Sequence, residues 1–134
     1  MLYSIENGKY ITNVPHEHDF KIWSSRLMPV EITSIQQALN QIFSGSEIET
    51  SSWIPGEDWT GSVWEPIYSK SCRQDVAAAA KCFGLFVWQA VIREKDVWAF
   101  GRYEKDGVPI EGLTYFRLHN PPPAPLEALN LVGT

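Results

Sequence analysis

The feature that most limits the possible folds of this chain is a long apolar stretch with helical spacing, residues 71–95. Its apolar side chains spread over nearly the whole circumference of a helix, which indicates burial on most sides. Ser71, followed three residues later by Gln74, is typical of a capping box, so the helix is predicted to start near Cys72. A central buried helix is therefore the first element of the predicted fold.

Length and composition indicate one domain. The chain has 134 residues and a 44% hydrophobic content, enough to bury a sizeable core. We predict a globular domain over residues 1–119 and a tail or strap over residues 120–134, where four of the five residues after Asn120 are proline. The beginning of the chain does not resemble a signal peptide, and no apolar run is long enough to span a membrane. A cytoplasmic protein without membrane contacts is expected.

The negative charge of the chain is concentrated in its middle third. The net charge is −5, and no Lys or Arg occurs between Arg26 and Lys70. The acidic residues of that segment are Glu31, Glu47, Glu49, Glu57, Asp58 and Glu65. Nucleic-acid backbones are bound by clustered basic residues, so binding to nucleic acid is not expected.

Two glycine-containing turns predict β-hairpins. Asn7-Gly8 lies between residues 2–5 and 9–12, and Asp106-Gly107 lies between an alternating pattern from Val97 and a return strand ending at Leu118. Both dipeptides favour type I′ turns, in which the two central residues have positive φ. Exposed edges of these terminal hairpins could also support a homodimer by strand pairing.

Shorter helices are predicted between the hairpins. One opens at Pro15 and a second at Pro29, the latter ending at Ser44-Gly45. Ser62 with Glu65 is typical of a further capping box. The predicted fold is α+β: an antiparallel sheet of about four strands packed on the long central helix, with two or three shorter helices.

The segment 47–61 lacks a periodic pattern and leads into the strongest candidate site. Three tryptophans occur within twelve residues, in a segment that contains a Pro-Gly turn signal and no basic residue. Tryptophan is enriched at the centres of interfaces, and carboxylates beside it would favour a basic partner through charge complementarity and cation–π contact. The predicted binding residues are Trp53, Glu57, Asp58, Trp59 and Trp64. The alternative is that the tryptophans fold inward and hold the loop on the domain.

The histidines offer two weaker candidates. His16 and His18 are two residues apart, a spacing that shares a metal on a strand but diverges by roughly 200° on a helix. Since Pro15 indicates a helix here, no metal site and no cofactor are predicted. His119 could act as a general acid or base only if a carboxylate such as Asp58, Glu65 or Glu104 approached it.

The cysteines and the last hairpin complete the candidates. Cys72 and Cys82 would lie about 15 Å apart on one helix, too far for a disulfide. Cys72 near a helix start could be a reactive thiol, although a packed cysteine is the more ordinary interpretation. In the last hairpin, Arg102 and Arg117 could line a pocket for a small anion, but a cross-strand charge ladder with Glu104, Glu111 and Tyr115 is the simpler reading.

No catalytic motif for a nucleophile elbow or a phosphate-binding loop is present. The sequence therefore favours a small non-enzymatic binding or accessory protein, of the kind that bacteria and phages use as regulators or inhibitors. Its acidic tryptophan-rich loop would engage a partner protein with a basic surface. The alternative is a small hydrolase-type enzyme that uses histidine and carboxylate residues.

Overall fold

A five-stranded mixed sheet forms the centre of the fold in the computed structural model, which describes residues 1–134. A two-stranded ribbon stands apart from this sheet. The central sheet has the order β2-β1-β4-β7-β3, with strands β1 (Leu2–Ser4), β2 (Lys9–Ile11), β3 (Ile48–Thr50), β4 (Trp98–Gly101) and β7 (Thr114–Arg117). The ribbon consists of β5 (Glu104–Lys105) and β6 (Val108–Pro109).

Four α-helices, one 3₁₀ turn and one π-helical turn connect the strands. The helices are α1 (Glu17–Ser25), α2 (Pro29–Ser44), α3 (Val76–Ile92) and α4 (Leu126–Leu129). A 3₁₀ turn covers Ser51–Trp53 and a π-helical turn covers Ile67–Ser71. None of the helices combines the length and apolar character that a membrane crossing requires.

The α+β class is confirmed, but the prediction of an antiparallel sheet is wrong. β1 runs parallel to β4, with Leu2 opposite Trp98, and the other neighbouring strands are antiparallel. Turn signals specify only the pairing within each hairpin, whereas the contact between hairpins follows from burying Leu2 and Trp98, which are both fully buried. β3 was not predicted, because it is a three-residue edge strand with little apolar alternation.

The hairpin at Asp106-Gly107 is confirmed with the predicted turn chemistry. Asp106 has φ 53° and Gly107 has φ 79°, as a type I′ turn requires. The first hairpin also forms, but its loop has four residues, since Ser4 pairs with Lys9. There Gly8 has a positive φ and Asn7 does not. β2 and β3 are the edges of the central sheet, and a homodimer through such an edge remains a prediction.

Helix α3 starts later than its capping-box pattern predicts. Its N-cap is Asp75, whose side chain accepts a hydrogen bond from the Ala78 N–H at 3.0 Å. Arg73 and Gln74 have φ values of 50° and 67°, a left-handed conformation that interrupts the helical path. Ser71 instead lies fully buried at the end of the π-helical turn.

The two faces of the sheet are covered by different parts of the chain. On one face, the Phe43 ring of α2 packs edge-on against Trp98 and Tyr115, with centroid distances of 5.0 and 5.8 Å. Met1 and Val97 belong to a smaller cluster with Ala128 of α4. Hydrogen bonds also attach the C-terminal segment to the domain. Tyr10 Oη donates to the Pro122 carbonyl, and the Gly133 N–H donates to the Arg93 carbonyl at 2.9 Å. Residues 120–134 thus form a strap across the sheet.

Candidate functional site

The tryptophan-rich loop places its three indole rings in three different environments. Trp64 is 7% exposed and packs edge-on against Phe83 of α3, with ring centroids 5.1 Å apart. Trp59 is half-buried, 5.6 Å from the same ring, and its Nε1 donates to the Gly56 carbonyl at 3.3 Å. Trp53 is 58% exposed. Trp64 and Trp59 therefore hold the loop on α3, and Trp53 presents its ring to solvent.

The two acidic residues of the predicted site are both exposed. Asp58 accepts a hydrogen bond from the Thr60 backbone N–H at 2.9 Å, and this bond lowers the pKa of its carboxyl group. Glu65 accepts one from the Gly61 N–H at 3.3 Å and so stabilises the same loop. Glu57 is exposed and forms no ion pair within the chain, so its carboxylate is available to an external cation.

An open groove of about 690 Å³ separates Trp53 from the β5–β6 ribbon. The loop side is formed by Trp53, Gly56 and Glu57, and the ribbon side includes Lys105, Asp106 and Val108. Val108 is 65% exposed, so the groove has apolar surface on both walls. Sequence reasoning did not assign the ribbon residues to the site. Although the Asp106-Gly107 turn was predicted, no local signal shows which segment it faces.

Hydrogen bonds join the two walls at the base of the groove. The Ser51 N–H donates to the Leu113 carbonyl at 2.9 Å, the Leu113 N–H donates back to Ser51 Oγ at 3.1 Å, and Ser52 Oγ donates to the Glu111 carbonyl. Gly112 has φ +79°, and a Cβ there would lie 2.6 Å from Ser51 Oγ. The close approach of the walls therefore requires glycine at this position.

A cation already lies against the exposed indole ring. Lys105 Nζ is 5.6 Å from the Trp53 ring centroid, within the range of a cation–π interaction. This ammonium group makes no salt bridge, although Glu57, Asp106 and Glu111 line the same groove. The groove thus combines an aromatic face that accepts a cation with three carboxylates.

The histidines lie away from this groove. His16 precedes α1 in a left-handed conformation (φ 52°), so the helix begins at Glu17, later than Pro15 predicts, and both His16 and His18 are exposed. No group of three or more His, Cys, Asp or Glu side chains is placed to hold a metal ion. His119 Nε2 lies 2.9 Å from Glu47 Oε2, and both side chains are mostly exposed. This pair was missed because it depends on the unpredicted pairing of β3 with β7.

Both cysteines are free and buried, in agreement with the packed-cysteine interpretation, but they do not share one helix as predicted. Because α3 begins at Val76, Cys72 precedes the helix that carries Cys82. Both are buried, and burial raises the pKa of each thiol. The proposed reactive thiolate at Cys72 is thus disfavoured, since a raised pKa reduces the thiolate fraction.

The two arginines of the last hairpin do not form a common pocket. The antiparallel register pairs Trp98 with Arg117 and Gly101 with Thr114, so Arg102 lies at the opposite end of the strand pair. Arg102 is exposed. The Arg117 guanidinium instead bonds the Asp96 carboxylate at 2.8 Å and the carbonyls of Phe43, Ser44 and Ser46. It therefore caps the end of α2, and four of its five N–H donors are already engaged within the chain.

Comparison with known proteins identifies no relative: no family model, no curated protein and no solved structure matches this chain.

Proposed function

We propose that this protein is a non-enzymatic binding module that engages a partner protein through the groove beside Trp53. The observation that carries the proposal is the exposed Trp53 ring on a loop that is otherwise held in place. Trp59 and Trp64 anchor that loop on Phe83, so presenting Trp53 requires little ordering on binding. A rigid aromatic side chain in an ordered surface is typical of the residues that dominate interface energies.

The charge of the surface favours a basic partner. Glu57, Asp106 and Glu111 line the groove, and Asp58 is exposed next to Glu57. A partner segment that carries Lys or Arg would gain both favourable electrostatics and contact with the indole ring. A partner with an acidic surface would be repelled by the same carboxylates. We therefore expect basic protein segments to be the preferred ligands.

The alternative of a small hydrolase finds less support in the geometry. His119 and Glu47 interact, but both side chains extend from the surface, and the groove beside Trp53 contains no histidine. General acid–base catalysis needs a substrate held within hydrogen-bonding reach of the catalytic groups, usually in a concave site. The binding module is the better explanation of a groove that combines aromatic and charged side chains.

Selection of peptides from a random display library tests this proposal. We expect the parent protein to enrich peptides containing Lys or Arg, and Trp53→Ala to weaken their binding at least about 30-fold, since hot-spot residues contribute about 2 kcal/mol or more. Val76→Ala is the matched control, because Val76 is also exposed but lies at the start of α3. Selected peptides that bind the parent and Trp53→Ala equally well would refute the proposed surface.

A further inference from the structure

The position of Lys105 suggests how the groove recognises its ligand. We infer that Lys105 is an internal substitute for a partner's cationic side chain, and that a Lys or Arg of a basic peptide segment displaces it from the Trp53 ring. This inference rests on the proposed function and adds to it the mode of recognition. The evidence is the 5.6 Å contact between Lys105 Nζ and the ring, in a groove whose other charged residues are all acidic.

Lys105 is well suited to such a displacement. Its ammonium group forms no salt bridge, so leaving the ring breaks no ion pair. It lies immediately before the type I′ turn of an exposed two-stranded ribbon, and its side chain can extend into solvent. An incoming guanidinium would make a stronger contact, because it stacks on an aromatic face and can also bond the carboxylate of Glu57 or Glu111.

The backbone of the ribbon favours recognition by side chains over strand addition. The Ile110 N–H donates to the Tyr103 carbonyl at 2.9 Å, so the backbone of the next pair, Glu104 and Pro109, points away from the ribbon. Pro109 has no N–H to offer on the edge that borders the groove. An added strand would lack a donor at this point. Charge and aromatic contact therefore remain as the means of recognition.

The test uses a fluorescein-labelled hexa-arginine peptide, with hexa-citrulline as its uncharged match, at about 0.15 M salt to screen distant charges. We expect Lys105→Ala to bind hexa-arginine about threefold more tightly than the parent, since it removes an exposed cation–π competitor. Lys95→Ala, which removes an exposed lysine remote from the groove, should change the affinity by less than about 1.5-fold. Hexa-citrulline should bind all variants weakly.

A double-mutant cycle separates displacement from simple charge removal. If Lys105 competes for the ring, its substitution should tighten binding only while Trp53 is present, and the gain should vanish in the Trp53→Ala background. A gain of equal size in both backgrounds, or none beyond that of Lys95→Ala, would overturn the inference. Failure of the parent protein to bind hexa-arginine would also overturn the inference. The proposed function would survive these results if library-selected peptides still required Trp53, and it would fail separately if they did not.

Discussion

Trp64→Ala is expected to lower the free energy of unfolding by about 3–5 kcal/mol, whereas Trp53→Ala should lower it by no more than about 1 kcal/mol. Trp64 is buried against Phe83, and its removal leaves a cavity between the loop and α3. Trp53 is mostly exposed, so its truncation removes little buried surface together with the cation–π contact to Lys105. Two tryptophans of one loop thus differ in role, one stabilising the fold and the other presenting a surface.

Urea titration of the parent and the two variants measures this difference. Trp59→Ala provides an internal comparison, because its half-buried ring contacts Phe83 at 5.6 Å, and an intermediate loss is expected. The slope of the unfolding free energy against urea concentration should be the same in all variants, so that the shift in midpoint reports stability alone. If Trp53→Ala destabilised the protein as much as Trp64→Ala, Trp53 would be a core residue and the loop would offer no aromatic surface.

Arg117→Ala is expected to lower the free energy of unfolding by about 3 kcal/mol. The Arg117 side chain is 18% exposed and supplies donors to three backbone carbonyls near the end of α2 as well as to Asp96. The last carbonyls of a helix have no partner within the helix, so losing the guanidinium leaves them unsatisfied. The guanidinium also lies 5.2 Å from the Trp98 ring.

Arg102→Ala is the matched control, since it removes an exposed arginine of the same hairpin and should change stability by less than about 0.5 kcal/mol. Arg117→Lys should recover only part of the loss, because a single ammonium group cannot reproduce the forked geometry of the guanidinium. Thermal or urea unfolding of the three variants gives the comparison. Equal losses for Arg102→Ala and Arg117→Ala would contradict the capping role.

Local signals in the sequence predicted the elements whose formation depends on neighbouring residues, such as helix ends and tight turns. Pro29 opens α2 and Gly45 follows its end, as predicted, and Asp106-Gly107 forms the expected turn. The failures arise where distant segments decide the outcome. β1 pairs with β4 across more than 90 residues, and Ser71 lies in the core because residues 73–74 take a left-handed path. No spacing rule in a single sequence carries that information.

The candidate site shows the same division between local signals and distant contacts. The loop could be recognised from its composition, but the distribution of its tryptophans between core and surface depends on where Phe83 of α3 lies. The opposite wall of the groove comes from a ribbon some 50 residues further along the chain. Lys105 could not be connected with Trp53 by sequence alone, because hydrogen bonds between Ser51 and Leu113 bring the two segments together.

The most direct measurement of the central claim is an NMR titration that follows the indole N–H signals of the six tryptophans. The ligand is a basic peptide selected on the parent protein, and each signal is assigned by substitution. We predict that the Trp53 signal shifts most, while the signal of fully buried Trp98 stays in place. A saturating peptide that left the Trp53 signal unmoved and shifted signals elsewhere would show that the interaction surface lies on another part of the molecule.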